Sequence, residues 1–539
     1  MSIEAELPDV DYVFLVDVLP RNHAGRSASI LTKTRLLWER GGRRSTIVTA
    51  YDSSQLDDIS HDLRERGLLA EGVTAASLHD YFPDPTELSA EDRHRPFEEP
   101  GMTWEHDQAA GQFHFFEHGV HRLSKRLDYA GRPIVLDWFD EARNRVRSDE
   151  YWPNGEQRRT VFFDRYYGVA RQELLHRRDG SVRLGIWWAV DPVTKVRSPE
   201  RVTSFDAAGR PERYLGSYDE IIHASLDGLI GGRPAMLTCE ARRIDEWVLG
   251  YRRPNVRQIH VLHNAHLRPP YDDPHRIRPI YTPMLTSDGV DAIVFLTNRQ
   301  KREAEAHFGP HPSYHVIPHS ISEPEQREPI ERDPMRVVMM ARLDQQKQVD
   351  HAIDAFAQVV KAVPKARLEI YGRGVLSGAL QAQIRRLGLS RSVKLAGFTT
   401  DPVAVYRGAG LSLLTSKYEG FGLVLVESLQ NGCPVVSYDL AYGPADIVQD
   451  GVTGYLVRPN DRRALADAII RVLRNPERQT AMSAAAEAST QTFSEAAFVQ
   501  RWAALFGSLA KNLSADPSAG ETMRRNHPQG GPHEPADAG

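Results

Sequence analysis

The sequence predicts an α/β protein with two doubly wound domains and an antiparallel β-meander inserted into the first. Three observations carry this reading. Short apolar runs alternate with helical spacings at the start of the chain and again through its second half. Between residues 100 and 215 the helical spacing gives way to aromatic, β-rich segments separated by turn dipeptides. At 539 residues the chain is also too long for a single core.

Taken in order, DYVFLVDVL at 11–19 is a strand, and Pro20 ends it. Apolar residues then recur at helical spacing (Ile30, Leu31, Leu36, Leu37) until Gly41-Gly42, and STIVTA at 45–50 is the next strand. That order places a loop at the carboxyl end of the first strand, where open α/β sheets bind ligands. In the insert, turns fall at Ala130-Gly131, Asn154-Gly155, Asp179-Gly180 and Ala208-Gly209, and the phrases LDYAGRP and FDAAGRP repeat one another. Between Arg122 and Arg213 there are 19 Lys and Arg against 14 Asp and Glu, a net of +5 in a chain whose total is −5. The insert is therefore a solvated basic face, or a docking surface for an anionic acceptor or partner subunit.

The α/β pattern returns with a helix at 218–230 and strands at 234–239, 258–263 and 291–297, then a helix at 298–308. The polar, proline-rich stretch at 322–334 is a linker. Strands and helices alternate again from MRVVMMARL through GYLV to the helix at 462–473. The expected organisation is a first domain in two parts, 1–99 and 216–321, around the insert at 100–215. The linker 322–334, a second domain at 335–491, a C-terminal helix at 492–514 and a disordered tail at 515–539 follow.

Composition sets limits. Apolar content of 41% and charged content of 26% describe an ordinary globular protein. A net charge of −5 gives no reason to expect nucleic acid as a partner, and no run of about 18 apolar residues is present to span a bilayer. Two cysteines, Cys239 and Cys433, cannot build a disulfide framework, so a reducing, cytoplasmic setting is expected.

Four features point into the expected ligand cleft. EGFGLVLVE at 419–427 follows an apolar strand and opens a helix. Free backbone N–H groups of Gly420, Phe421 and Gly422 would meet a phosphate there, with Glu419 and Glu427 at either end to accept hydroxyls. Two glutamates eight apart are common on surface helices; the preceding strand and the glycine-flanked turn set this pair apart. ARLDQQKQVD at 341–350 puts Arg342 and Lys347 just past a strand, where cations can neutralise a leaving diphosphate. His263 ends the strand at 258–263. His260, His263 and His266 are three apart, a spacing that gives no metal site. GRSAS at 25–29 allows a tight loop before a helix but is not a dinucleotide fingerprint.

Through ARLDQQKQ, IYGRG, LAGFTTD, EGFGLVLVESLQNGCPVVSYD and YGPADIVQDGVTGYLV, the chain from about 330 to 475 resembles the retaining GT-B glycosyltransferases that carry an EX7E motif. Together with the meander, it is similar to the bacterial α-glycosyltransferases that decorate teichoic acids and to relatives that glycosylate Ser-rich adhesins. The resemblance implies two Rossmann-like domains facing a cleft. It implies that Glu419 contacts the transferred sugar, Glu427 the ribose, and Arg342 and Lys347 the diphosphate. Gly420, Phe421 and Gly422 would add backbone donors and Thr399 and Thr400 would lie near the nucleobase. Gly25, Arg26, Ser27 and Ala28 would close over the donor, and His263 would approach the sugar. It further implies α transfer of glucose or N-acetylglucosamine from a UDP-sugar to a polyol-phosphate polymer or other glycan acceptor, with no cofactor and no metal. Homo-oligomer formation through the insert and peripheral contact with the inner face of the membrane also belong to what the resemblance implies. A protein Ser/Thr or lipid acceptor, or a catalytically silent subunit of a glycosyltransferase complex, are the alternatives.

Overall fold

The structure, a computed structural model, describes residues 6–21, 25–51, 55–81, 95–108, 110–177, 179–191, 197–271, 273–322, 330–511 and 513. Residues 323–329 of the expected linker and the whole expected tail lie outside the described residues. The described residues divide into two compact units, one drawn from 9–21 and 43–257, the other from 6–8, 25–42 and 258–511.

In the first of these units, Asp11–Val16 pairs in parallel with Ala235–Cys239 on one side and Ser45–Thr49 on the other, and Val73–Ser77 extends the sheet beyond Ser45–Thr49. Val13, Leu15, Leu237 and Cys239 pack with Ile222, Leu226 and Ile230 of the helix Tyr218–Ile230. Such strands read as unbroken apolar runs because both faces are covered.

The same unit holds a ten-stranded antiparallel sheet, from Thr103–Asp107 to Pro211–Leu215, in which each strand pairs with its neighbour in the chain. Gly131, Gly155, Gly180 and Gly209 sit in its hairpins with φ of 79°, 82°, 86° and 75°, conformations that glycine adopts without the cost a side chain would bring. The two repeated phrases make one device twice. Asp128 accepts from the N–H groups of Ala130 and Arg132 and from the Arg132 guanidinium; Asp206 does the same with Ala208 and Arg210. Leu175, Leu184, Ile186, Val202 and Leu215 of this sheet pack on Ile221 of the helix Tyr218–Ile230.

The second unit contains the parallel strands Val256–Val261 (its last four residues), Ala292–Phe295 and Tyr314–Val316. It also contains a six-stranded parallel sheet, whose order is Val393–Gly397, Arg367–Tyr371, Asp333–Met340, Ala409–Leu414, Val435–Tyr438 and Gly454–Val457. Its core draws Ile353 and Phe356 from the helix Val349–Ala362, Leu425 and Leu429 from Leu423–Gln430, and Leu465 and Ile469 from Arg462–Leu473. The N-terminal helix Arg26–Gly41 lies against the C-terminal helix Glu495–Ala510, with the Lys33 ammonium 4.1 Å from the Trp502 ring and Arg35 paired with Glu495.

The fold class follows the sequence, with local differences. The strand expected at 258–263 spans Val256–Val261, so His263 lies in the loop after it. The Leu262 N–H still bonds the Val294 carbonyl, and the chain then leaves the ladder. Among the described residues no helix is long and apolar enough to cross a membrane. Cys239 and Cys433 are free and fully buried.

Candidate functional site

The site is built from two loops that follow neighbouring parallel strands. After Asp333–Met340, residues 341–348 carry Arg342 and Lys347; after Ala409–Leu414, residues 415–422 carry Glu419. The loops are stitched together. Thr415 donates through Oγ1 to the carbonyls of Lys347 (3.0 Å) and Gln348 (2.9 Å), Gln346 Nε2 donates to the Tyr418 carbonyl, and the Lys417 N–H to the Gln346 carbonyl. This holds the Lys347 Nζ 2.6 Å from Glu419 Oε1, which also accepts from Ser416 Oγ at 2.6 Å. Residues 72 apart in sequence thus form one charged pair, and Glu419 is 7% exposed. Taking two charges out of water is costly, and the short ion pair with the added Ser416 hydroxyl offsets that cost.

Arg342 is at the same strand end but faces outward, bonded to Asp344 Oδ2 at 2.6 Å and Gln346 Oε1 at 3.0 Å. Its loop is pinned from beneath by residues 371–376. Leu343 N–H donates to the Arg373 carbonyl and Leu376 N–H to the Leu343 carbonyl. A Cβ on Gly372 would lie 1.9 Å from the Ala341 carbonyl oxygen, and one on Gly374 2.3 Å from that of Leu343.

The glycine-flanked turn differs from its sequence reading. At Gly420 the segment that makes the close approach is backbone: a Cβ there would lie 2.1 Å from the His263 carbonyl oxygen, so that side is filled by the 263–264 backbone. Gly422, with φ of 89°, is the left-handed residue that starts the helix Leu423–Gln430. Helix N-terminal groups therefore follow Gly422, and Glu427 lies one turn inside the helix.

His263 is half-buried. Its ring lies nearly parallel to that of His319, with centroids 5.5 Å apart and 13° between planes. His319 in turn meets Phe421 edge-on at 5.4 Å and is hydrogen-bonded through Nδ1 to Ser29 Oγ at 2.9 Å. Sequence reasoning missed His319. Its one signal was a histidine just past the strand Tyr314–Val316, at another carboxyl end. Gly25 precedes the first helix with φ of 53°, and Arg26, Ser27 and Ala28 form that helix's first turn.

Glu427 opens into a separate pocket of about 250 Å3, together with Ala28, Ser29, His319, Val403, Tyr406 and Asn431. Among the described residues no cation pairs with its carboxylate, and burial pushes the carboxyl up to about 7. Thr399 and Thr400 lie in the loop between the strand Val393–Gly397 and the helix Pro402–Arg407; Thr399 Oγ1 accepts from the Asp401 N–H at the entry to that helix. The structure thus gathers Lys347, Glu419, Phe421 and the His263 backbone. Glu427 and Ala28 share the neighbouring pocket, and Arg342 stays at the rim.

Residues 321–489 match the family model described as glycosyl transferases group 1. This segment is a group 1 glycosyl transferase domain. The poly(glycerol-phosphate) alpha-glucosyltransferase of Bacillus subtilis (strain 168) is 24% identical to the chain over 528 residues, covering 92% of this chain and 75% of that protein. The poly(ribitol-phosphate) alpha-N-acetylglucosaminyltransferase of Staphylococcus aureus (strain COL) is 31% identical over 170 residues, 31% of this chain and 34% of that one. Among solved structures, a single-residue mutant of S. aureus TarM in complex with fondaparinux, alpha-GlcNAc-glycerol and UDP has a TM-score of 0.74 at 18% identity, covering 92% of this chain and 99% of that one. The fold shared with these structures is GT-B, here with an antiparallel insert.

Two outcomes test this geometry. Lys347→Ala and Glu419→Gln should be strongly non-additive in turnover, the double variant falling no more than about tenfold below the worse single one; multiplied losses would mean that the two groups act independently. For Glu427, the folded carboxyl at about 7 lies above its unfolded value, so its contribution to stability is present at low pH and is lost as pH rises through about 7. Glu427→Gln should therefore raise the Tm of the ligand-free protein at pH 8 by roughly 2–4 °C and leave it nearly unchanged at pH 5, as read by calorimetry.

Proposed function

We propose that the chain is a retaining, metal-independent α-glycosyltransferase that moves glucose or N-acetylglucosamine from a UDP-sugar to a polyol-phosphate polymer. The observation that carries this reading is the Lys347–Glu419 pair at adjacent strand ends of a group 1 glycosyl transferase domain. The two relatives described above, named for poly(glycerol-phosphate) and poly(ribitol-phosphate), support the acceptor class.

In this reading the diphosphate of the donor lies against Lys347 and Arg342. As the bond from the anomeric carbon to the diphosphate oxygen breaks, negative charge grows on the leaving group. Lys347 then shifts its hydrogen bond from Glu419 towards that charge, and fixed cations stabilise it in place of a metal ion. The released Glu419 carboxylate faces the positive charge that develops on the sugar ring. An acceptor hydroxyl forms the new bond on the same face, and its proton passes to the departing phosphate, which preserves the α configuration. Glu427, as its carboxylate, accepts from the ribose diol in the pocket beside Val403 and Tyr406, and Thr399 and Thr400 lie towards the base. The first turn after Gly25 closes the pocket through Ala28, and His263 approaches the sugar from beside Phe421.

The test is mass spectrometry of products from a panel of UDP-sugars against glycerol-phosphate, ribitol-phosphate and Ser-rich peptide acceptors. Anomeric NMR then reads the linkage. An α-linked hexose on a polyol-phosphate is expected; transfer to the peptide alone would move the acceptor class, and a β linkage would end the retaining reading. Treatment with EDTA should leave the rate within about twofold, whereas complete loss restored by a divalent ion would overturn the fixed-cation account.

A further inference from the structure

The loop His263-Asn264-Ala265-His266 is held at every carbonyl. The His263 carbonyl abuts Gly420, Asn264 accepts from Gln300 Nε2 at 2.9 Å, Ala265 from the Arg278 guanidinium at 3.3 Å, and His266 from the Arg278 N–H at 2.8 Å. At its far end the His266 ring, fully buried, stacks on Tyr442 with centroids 5.5 Å apart and 19° between planes. The Tyr442 hydroxyl donates to Glu303 Oε2 at 2.6 Å and stands 3.2 Å from His266 Nδ1. Burial pushes the His266 imidazole down to about 4, which leaves it neutral and able to share a proton with a hydroxyl.

Tyr442 is also tied to the motif turn. Its neighbour Gly443 has φ of 97°, and a Cβ there would lie 1.6 Å from the Phe421 carbonyl oxygen. Ala265, Leu267 and Tyr442 form one buried cluster, with Tyr271, Ile277, Tyr418 and Ala441 around it. The loop that carries His263 is therefore gripped twice by the segments that frame Glu419. One grip is Gly420 under His263, and the other is Tyr442 on His266.

We propose that Tyr442 is a positioning residue for the transfer reaction. Its hydroxyl, shared between Glu303 and His266, fixes the His263–His266 loop so that His263 keeps its place beside the Glu419–Gly422 turn. This rests on the glycosyl-transfer reading above. Tyr442 touches neither reacting atom in that reading; it acts through the loop.

The experiment compares full-length wild type, Tyr442→Phe and Glu303→Gln. Tyr442→Phe keeps the ring and the stack and removes only the hydroxyl, with its bond to Glu303 and its contact to His266 Nδ1, while the amide of Glu303→Gln still accepts from Tyr442. Hydrogen exchange of peptides covering 262–267 is measured together with kcat and KM for the UDP-sugar and the affinity for UDP. Tyr442→Phe should speed exchange in 262–267 several-fold and lower kcat about tenfold. Donor KM and UDP affinity should stay within about twofold of wild type, and Glu303→Gln should lie close to wild type in all of them. Unchanged exchange, unchanged kcat, or a fall in kcat matched by lost UDP affinity would each overturn the proposal. Should the wild type use no UDP-sugar, the proposed function fails, and the exchange measurement alone then decides whether Tyr442 fixes the loop.

Discussion

There is no room for a β-carbon at Gly420 or Gly443, and the geometry of the site depends on that. Gly420 lets the Glu419 turn press directly on the His263 backbone, and Gly443 lets the following segment press on Phe421. Backbone against backbone is the closest approach two segments can make, and it leaves little slack in how their side chains face one another. Gly372 and Gly374 do the same for the loop of Arg342 and Lys347. Precision here comes from missing atoms. Four glycines set the distances, and the charged groups are carried on the loops they lock.

The two glutamates of one short motif show how strongly surroundings decide the state of a carboxyl group. Glu419 is buried but has an ammonium group and a hydroxyl on one oxygen. Glu427, eight residues on, lines a pocket without a cation and is pushed up to about 7. The first has both donors in place. The second is costly to charge while nothing offers hydrogen bonds to its oxygens. Sites that must bind and release a ligand commonly carry such unrelieved cost in the empty state.

Much of this was legible in the sequence, and the limits have a physical pattern. Alternation of period and turn chemistry revealed the α/β sheets and the meander, because strand runs and Asx-Gly turns are local codes. Lys347 and Glu419 were each singled out by their position after a strand. Their contact, across 72 residues, was not legible, since no period encodes it. Gly420 was legible as a point of close approach, but its contact with the His263 backbone was not, since small size does not say what approaches. His319 escaped entirely, and Tyr442 entered only as the first residue of YGPADIVQDGVTGYLV with no role of its own, because a histidine or tyrosine at a loop has many ordinary uses and its partners lie on distant segments. The end of the strand before His263 was misplaced by two residues, which is the usual fate of an apolar run that continues past its ladder.

The meander pairs every strand with its neighbour in the chain, and this has a consequence for how such a protein can diverge. A sheet built by sequential hairpins can be lengthened or shortened by one hairpin at a time without rethreading the parallel sheet that bears it. Its outer strands, Thr103–Asp107 and Pro211–Leu215, carry acids, an arginine and a proline, residues that discourage further strands from adding at random. Insert size is thus free to drift with whatever the sheet must reach, while the glycine-locked loops stay fixed. The architecture separates the part that can be retailored from the part that cannot.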